Sequence, residues 1–371
     1  MPARKIFRSG AFDKEGKYMQ KFRKIGVLTS GGDAPGMNAA IRAVTLAAEE
    51  NGVDVVAIYE GYQGLMDGNV KDLSIRDASP VIRSGGTFLL SARSKEFMYE
   101  SGMQKAIATC KKFGIDGIVA IGGDGTFRGA TDLTKRGIPC IGLPGTIDND
   151  VTATDATIGY NTALTTTVNM IDCLRDTCES HARCNVVEVM GRNAGYIALE
   201  SAIATGAEAV IIKEFAHDEE AIIKKVADLR KAGKRSFIIV ISEGVADYGE
   251  DFTKRLEEAT GVESRFARFA HVVRGGAPTV ADRVMATQMG AKAVELLLDG
   301  KSNMVVCMRD GKIVAEDIAY ALTVDRMFKG KLKDGDLDGF TEEQVESMKA
   351  LCAQRTKEMR ALYDLAYEMG K

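Results

Sequence analysis

The sequence predicts an α/β fold built on mostly parallel sheets. Short runs of branched apolar residues alternate with amphipathic helical patterns along most of the 371 residues, which is typical of βαβ crossovers that cover both faces of a sheet. Three of the strand-like runs are followed by glycine-rich or aspartate-rich loops, and ligands of open α/β sheets bind at the carboxyl ends of strands. The length allows roughly two to three domains.

The elements follow from these patterns in chain order. Strands are expected at 24–28, 53–59, 117–121, 139–143, 186–190, 209–212 and 237–242. Helices are expected at 37–51, 104–113, 160–175, 218–231 and 282–299. Residues 342–369 repeat apolar side chains at a helical period and predict one or two packed helices. The repeated side chains are Val345, Met348, Cys352, Met359, Leu362, Leu365 and Met369. We interpret them as core or subunit contact rather than as a cofactor site.

Composition narrows the functional class. Hydrophobic residues make up 45% and charged residues 27%, and the longest apolar stretches are shorter than the roughly 20 residues of a membrane helix, so no membrane partner is expected. A net charge of −3 argues against nucleic-acid binding, which needs a basic surplus. Seven cysteines without C-x-x-C spacing predict reduced thiols and a cytoplasmic location. Residues 1–22 are expected to form an N-terminal arm.

The first two glycine loops predict a phosphate site. Gly31, Gly32 and Asp33 lead into the helix expected from residue 37, whose N-terminal N–H groups would face an anion. The second loop, residues 122–126, reads GGDGT, and its Asp124 is suited to magnesium that bridges nucleotide phosphates. A tight strand-to-helix turn is the alternative for this loop. The P-loop pattern and the Rossmann G-x-G-x-x-G pattern are both missing from the sequence.

The third loop adds two carboxylates, Asp148 and Asp150. In an extended backbone, side chains two residues apart face the same way, so both are expected at one locus. One would take a proton from an attacking hydroxyl while the other supports magnesium. The alternative is an Asx-turn in which Asn149 and Asp150 satisfy backbone groups.

Cationic side chains for a phosphorylated acceptor follow further along the chain. They are Arg183, Arg192, Arg265, His271 and Arg274. Guanidinium groups match phosphate oxygens in bidentate fashion, although each arginine alone is more typical of a surface or salt-bridge residue than of a ligand. Residues 271–276 are the stronger signal because their Gly-Gly turn permits close approach of a ligand. Glu188 is interpreted as a paired structural carboxylate. No motif supports a zinc site or a hydrolase triad.

Taken together, the motifs resemble one family, the bacterial ATP-dependent 6-phosphofructokinases. The segments that carry the resemblance are IGVLTSGGDAPGMN (25–38), GGTF (85–88), SAR (91–93), IGGDG (121–125), PGTIDND (144–150), VVEVMGR (186–192) and HVVRGG (271–276). They stand in the family's order, and the match covers roughly residues 23–325. Their joint occurrence is far more specific than any one loop.

The resemblance implies a fold of two Rossmann-like three-layer domains with mostly parallel sheets and the active site in the cleft between them. Residues 23–159 and 273–323 would form the larger, ATP-binding domain, and residues 160–272 the sugar-phosphate-binding domain. Residues 324–371 would be a C-terminal helical extension. The implied activity is transfer of the γ-phosphoryl group of Mg-ATP to the 1-hydroxyl of fructose 6-phosphate, a reaction of glycolysis.

The resemblance also implies residue roles. Asp148 would be the base, Thr146 would position the sugar and Arg192 would stabilise the transferring phosphoryl group. Mg²⁺ would be held by Asp124 with support from Asp150. ATP contacts would come from Gly32, Tyr62, Arg93, Ser94, Gly123, Asp124, Gly125 and Thr126. Further sugar-phosphate contacts would come from Arg183, Met190, Gly191, Glu243, Arg265, His271 and Arg274.

Assembly and regulation are implied in the same way. Arg183 and Arg265 match positions that reach in from a neighbouring subunit, so self-association with shared active sites is expected, with a homotetramer favoured and a homodimer left open. The family's effector pocket is retained in part by Arg42, Arg175, Glu208, Lys234 and Arg235. Two of its usual arginine positions are Leu46 and Ile75 here, which predicts a weakened or altered effector response. Ser94 and Met98 also depart from the residues that the family often has.

Two glycines indicate which phosphoryl donor the protein uses. Related pyrophosphate-dependent enzymes have an Asp where this chain has Gly125 and a Lys where it has Gly145. We expect the glycines to leave room for the α-phosphate and adenosine, which favours ATP. The alternatives are a pyrophosphate-dependent phosphofructokinase and a catalytically silent sugar-phosphate-binding regulatory subunit.

Overall fold

The computed structural model describes residues 22–245 and 247–370. The strands are β1 (Lys24–Ser30), β2 (Asp54–Ile58), β3 (Val70–Asp72), β4 (Gly117–Gly122), β5 (Cys140–Pro144), β6 (Cys184–Val189), β7 (Ala209–Ile211), β8 (Phe237–Ser242), β9 (Ser264–Arg268), β10 (Met304–Arg309) and β11 (Lys312–Asp317). All but Phe22 of the N-terminal arm expected at 1–22 lies outside the described residues.

The helices alternate with these strands. They are α1 (Met37–Glu50), α2 (Gly61–Asp67), α3 (Ile75–Ala78), α4 (Glu100–Phe113), α5 (Asp124–Lys135), α6 (Tyr160–His181), α7 (Tyr196–Thr205), α8 (Glu219–Lys231), α9 (Gly249–Thr260), α10 (Val280–Leu298), α11 (Ile318–Phe328) and α12 (Glu342–Met369). None of the helices in these described ranges is long and apolar enough to cross a membrane.

The strands form two sheets, and the predicted α/β class with mostly parallel strands is confirmed. The seven-stranded sheet has the order β11-β10-β5-β4-β1-β2-β3, and the four-stranded sheet has the order β7-β8-β6-β9. Only the pairs β2–β3 and β10–β11 are antiparallel among the strands described. Strand β9 was not predicted from the sequence because charged residues alternate with its apolar ones. It is an edge strand of the four-stranded sheet and pairs with β6.

The described residues form two compact units. The first unit takes in the residues up to Thr146, Val151–Gly159 and Gly276–Cys352. The second unit takes in Ile147–Asp150, Tyr160–Gly275 and the residues from Ala353 onward. Each unit has its own apolar core beside its sheet: Phe127 is fully buried in the first core, and Phe237 and Phe252 are fully buried in the second.

The C-terminal segment is one long helix, α12, and its buried face differs from the prediction at the end. Met348 and Met359 are buried, as predicted, but Leu365 is 45% exposed and Met369 is 63% exposed. Ala366 is buried instead, because seven residues complete about two helical turns from Met359. The apolar pattern did not indicate Ala366 there, since larger apolar residues flank the small residue that packs inward.

Candidate active site

In the second unit, three neighbouring strands end in predicted sugar-phosphate residues. These residues are Met190, Gly191 and Arg192 after β6, Glu243 after β8, and His271 and Arg274 in the short 3₁₀ helix Ala270–Arg274 after β9. Strand β6 pairs in parallel with both β8 and β9. Their carboxyl ends therefore lie at one edge of the sheet, where α/β proteins bind ligands.

The turn after β6 is held in a demanding backbone conformation. Gly191 has φ 139° and Arg192 has φ 53°, a left-handed conformation that costs a non-glycine residue roughly 1–3 kcal/mol. The backbone N–H of Arg192 donates to Glu243 Oε1 at 2.5 Å, which ties the end of β6 to the end of β8. This contact fixes the backbone from which the Arg192 side chain projects.

Asp148 is the buried carboxylate of this edge. It is 6% exposed, and its Oδ2 lies 4.0 Å from Arg192 Nε. The pKa of Asp148 is raised to about 6, chiefly by burial and also by the nearby charges of Asp150 and Glu243, while Arg192 and Arg274 oppose the rise. Asp148 is thus ionised at neutral pH yet more basic than an ordinary aspartate, which suits a general base.

The loop that carries Asp148 is not extended, in contrast to the prediction. Asn149 has φ 50°, so the chain turns between the two carboxylates. Residues Ile147–Asp150 belong to the second unit, whereas Thr146 belongs to the first. The two aspartates still interact, because the charge of Asp150 raises the pKa of Asp148. Sequence spacing therefore identified the pair but not its geometry.

In the first unit, the three loops singled out in the sequence follow β1, β4 and β5. These strands are parallel neighbours, so the loops meet at one edge. Thr126 Oγ1 donates to the Ser30 carbonyl at 3.0 Å, and the Gly145 N–H donates to the Gly122 carbonyl at 3.0 Å. The phosphate-loop candidates Gly32 and Gly123 lie in this group.

Asp124 opens α5 directly after Gly123. Its side chain is 28% exposed, and a hard carboxylate oxygen at a helix N-terminus suits a magnesium-bound phosphate. Within the described ranges, no group of three or more His, Cys, Asp or Glu side chains forms a metal cage. A site of one or two carboxylates is typical of magnesium that is shared with substrate phosphates, so Asp124 fits this ion.

Gly125 and Gly145 differ in their surroundings. A Cβ atom on Gly125 would meet nothing within 4 Å, which agrees with the expected open space. A Cβ atom on Gly145 would lie 2.9 Å from Met37 Cε and 3.0 Å from Ile121 Cγ2. The space argument is therefore wrong at Gly145, where a side chain would crowd Met37 and Ile121 inside the first unit.

Of the remaining nucleotide candidates, Tyr62 contacts the first turn of α5. The Tyr62 hydroxyl donates to the Thr126 carbonyl at 2.6 Å, and the buried Tyr62 ring stacks on Phe97 with centroids 4.1 Å apart. Burial raises the pKa of Tyr62 well above its ordinary value, so its hydroxyl remains protonated. Arg93 is exposed, and Ser94 Oγ accepts the Phe97 N–H at 3.3 Å.

Thr146 follows the last strand of this group. Its N–H donates to the Ile158 carbonyl at 3.1 Å, and its own carbonyl accepts the Thr157 hydroxyl at 2.7 Å. Both of its backbone polar groups are therefore held by residues of the first unit, immediately before the chain enters the second unit at Ile147.

Arg183 and Arg265 are not near Asp148. Arg183 precedes β6 and Arg265 is the second residue of β9, so both lie at the amino end of the sheet, opposite the edge with Arg192. There both pair with Glu263, and the Arg183 Nε to Glu263 Oε2 distance is 2.8 Å. Their expected contact with the active site of a neighbouring subunit stays a prediction.

The candidate effector residues are divided between the units. Arg42 lies on α1 of the first unit. In the second unit, Lys234 pairs with the buried Glu208, and Arg175 donates to the Thr205 carbonyl. Arg235 is exposed.

Glu188 is paired with Arg268 at 2.6 Å, as expected for a structural carboxylate.

One residue beside the magnesium candidate was missed from sequence. Lys329 Nζ lies 3.9 Å from Asp124 Oδ2 and 2.8 Å from Asp325 Oδ2. The available signal was the four-residue spacing of Asp325 and Lys329 near the end of a helix, which favours an ion pair. Nothing local in the sequence indicates that this pair lies beside Asp124.

Comparisons with known proteins find relatives over most of the chain. The family model described as Phosphofructokinase matches residues 24–297. An ATP-dependent 6-phosphofructokinase of Bacillus licheniformis is 51% identical over 300 residues, which cover 81% of this chain and 94% of that protein. Among solved structures, a phosphofructokinase of Saccharomyces cerevisiae is similar with a TM-score of 0.79 and 32% identity, over 89% of this chain and 50% of the yeast chain.

A more distant structural likeness is also present. A pyrophosphate-dependent phosphofructokinase of Marinobacter aquaeolei is similar with a TM-score of 0.70, over 80% of this chain and 83% of that chain. Its identity is 23%, so this likeness concerns the fold alone.

Proposed function

The chain belongs to the phosphofructokinase family, and we propose that it transfers the γ-phosphoryl group of ATP to the 1-hydroxyl of fructose 6-phosphate. The products are fructose 1,6-bisphosphate and ADP, and the reaction is one of glycolysis. The observation that carries the proposal is the buried Asp148 carboxyl, whose pKa of about 6 suits a base that acts on a sugar hydroxyl near neutral pH.

Asp148 takes the proton from the 1-hydroxyl as that oxygen attacks the γ-phosphorus, and ADP leaves. Arg192 stabilises the charge of the transferring phosphoryl group. Thr146, together with Met190, Gly191, Glu243, His271 and Arg274, positions the sugar phosphate. In this scheme the carboxyl edge of the second unit binds the acceptor.

The first unit binds the donor. Gly32, Arg93, Ser94 and the residues Gly123–Thr126 bind the nucleotide, and Tyr62 supports the first turn of α5 through Thr126. Asp124 and Asp150 would hold Mg²⁺, which neutralises the phosphate charge when bound. The open space at Gly125 supports ATP as the donor.

Self-association belongs to the proposal through Arg183 and Arg265. Both lie at the amino end of the four-stranded sheet, away from Asp148, so they would bind the sugar phosphate of a neighbouring subunit in a homotetramer or homodimer.

All seven cysteines are free thiols, which supports a reducing, cytoplasmic setting. Arg42, Arg175, Glu208, Lys234 and Arg235 are proposed as effector contacts.

The decisive experiment assays purified protein with fructose 6-phosphate and either ATP or pyrophosphate, and measures fructose 1,6-bisphosphate. We expect turnover with ATP to be faster. Faster turnover with pyrophosphate would reject ATP as the donor. Binding of fructose 6-phosphate without turnover on either donor would identify a silent regulatory subunit instead.

A further inference from the structure

Lys329 lies beside the magnesium candidate through contacts between segments far apart in sequence. It is the residue that caps the C-terminus of α11, and its N–H donates to the Asp325 carbonyl at 3.0 Å. Its ammonium group lies 2.8 Å from Asp325 Oδ2 and 3.9 Å from Asp124 Oδ2. The shorter contact is to Asp325, so the ammonium does not depend on Asp124 for its position.

Asp325 is a firm anchor for this lysine. Asp325 is 3% exposed, and its other oxygen, Oδ1, accepts the Thr152 hydroxyl at 2.9 Å. An ion pair with a buried carboxylate is screened by solvent far less than a surface pair. Lys329 is therefore held in place with its ammonium at the N-terminal end of α5.

The placement leaves the Lys329 ammonium able to bind a phosphate. When Asp124 acts as a magnesium ligand, its charge is shared with the metal, and Asp325 is the carboxylate that remains paired with Lys329. An ammonium has three N–H donors, so it can still donate to a further anion. A nucleotide polyphosphate is an anion of the required kind, since it supplies several negative oxygens to a metal ion and to a lysine together.

On this basis, which rests on the proposed function, we propose that Lys329 is a donor-binding residue that donates a hydrogen bond to a phosphate oxygen of the nucleotide. Asp325 is its positioning residue: it holds the ammonium while Asp124 engages the metal. Lys329, at the end of α11, thereby adds a cation to the predicted donor site.

The test is calorimetric titration of the full-length protein with ADP, once in EDTA and once with Mg²⁺. We expect Lys329→Met to weaken ADP binding by roughly tenfold or more in EDTA, because a hydrogen bond to a charged partner is lost. The loss should be smaller with Mg²⁺, which neutralises part of the phosphate charge. Lys329→Arg should retain most of the affinity.

Lys331→Met is the matched control, because Lys331 is an exposed lysine two residues away and its loss changes the net charge equally. Lys329→Met affinity within about twofold of wild type in both buffers, or an equal loss in Lys331→Met, would overturn the role of Lys329. Neither outcome tests the proposed activity. That proposal is rejected only if the wild-type protein does not phosphorylate fructose 6-phosphate from ATP.

Discussion

The Arg192 Nε atom lies 4.0 Å from Asp148 Oδ2, and the two side chains differ greatly in exposure: 58% for Arg192 and 8% for Asp148. The arginine therefore reaches from solvent toward a buried carboxylate. Its charge lowers the pKa of Asp148 against the larger effect of burial. Arg192 thus helps to keep the base ionised near neutral pH while most of its guanidinium remains available to a phosphoryl group.

Replacing Asp148 tests the base directly. We expect Asp148→Asn to lower kcat by at least about two orders of magnitude while KM for fructose 6-phosphate changes little, because an amide cannot take the proton. Steady-state kinetics with saturating ATP measure both. A kcat close to that of wild type would reject Asp148 as the base.

The same variant should be more stable than wild type, and this serves as its folding control. The pKa of Asp148 is raised from 3.8 to about 6, so ionisation of the Asp148 carboxyl destabilises the folded state relative to the unfolded state. The advantage of Asp148→Asn should be absent below about pH 4, grow as the pH rises to about 6, and then level off at up to about 3 kcal/mol. Denaturant unfolding at pH 4 and pH 8 measures it, and a less stable variant at pH 8 contradicts the expected cost.

The pH dependence of kcat/KM is the second prediction. We expect kcat/KM to fall as the pH drops through about 6, since protonation of Asp148 removes the base. Glu243→Gln should move this acid limb to lower pH, because the charge of Glu243 raises the pKa of Asp148. Asp148 would then stay ionised in more acidic solution.

The phosphate group of the substrate itself titrates near pH 6. The acid limb of kcat/KM is therefore assigned to Asp148 by comparing the variants. Glu220→Gln is the control, because Glu220 is an exposed acid on α8 that does not perturb Asp148. An acid limb that stays in place in Glu243→Gln, or that moves equally in Glu220→Gln, would assign it to another group.

The loops of the first unit were predictable because their signal is local. A run of branched apolar residues followed by glycine and aspartate places Asp124 at a strand end in any parallel sheet, and β4 followed by α5 has this form. Glu243 carried no local signal and was placed by family resemblance, whereas His271 belongs to the Gly-Gly turn segment 271–276. Their position at one edge of the sheet of the second unit depends on the pairing of β6 with β8 and β9, which the sequence does not state.

The errors came from contacts across long sequence distances. A Cβ atom on Gly145 would meet Met37, a residue more than 100 positions earlier in the chain. Lys329 lies near Asp124 because the end of α11 packs close to the start of α5, although about 200 residues separate them. Periodicity located helix α12, but only packing showed that Ala366, and not Leu365, faces inward.

The two donor-loop glycines give the third prediction. Gly125→Ala should leave stability unchanged or raise it by up to about 1 kcal/mol, since the added methyl group meets open space and alanine is favoured in a helix. Gly145→Ala should destabilise the protein by about 1–3 kcal/mol, because its methyl group crowds Met37 and Ile121. Denaturant unfolding of both variants makes the comparison. Equal stability of the two would show that Gly145 is not packed as described.

The C-terminal helix gives the fourth prediction. Met359 is 2% exposed and Leu365 is 45% exposed, on the same helix. Met359→Ala should therefore cost about 2–5 kcal/mol through lost burial and a cavity, whereas Leu365→Ala should stay within about 0.5 kcal/mol of wild type. Since alanine is a good helix former, neither change weakens the helix itself. The difference in unfolding free energy thus reports packing of this helix against the rest of the protein, and a neutral Met359→Ala would show that the helix does not pack through this face.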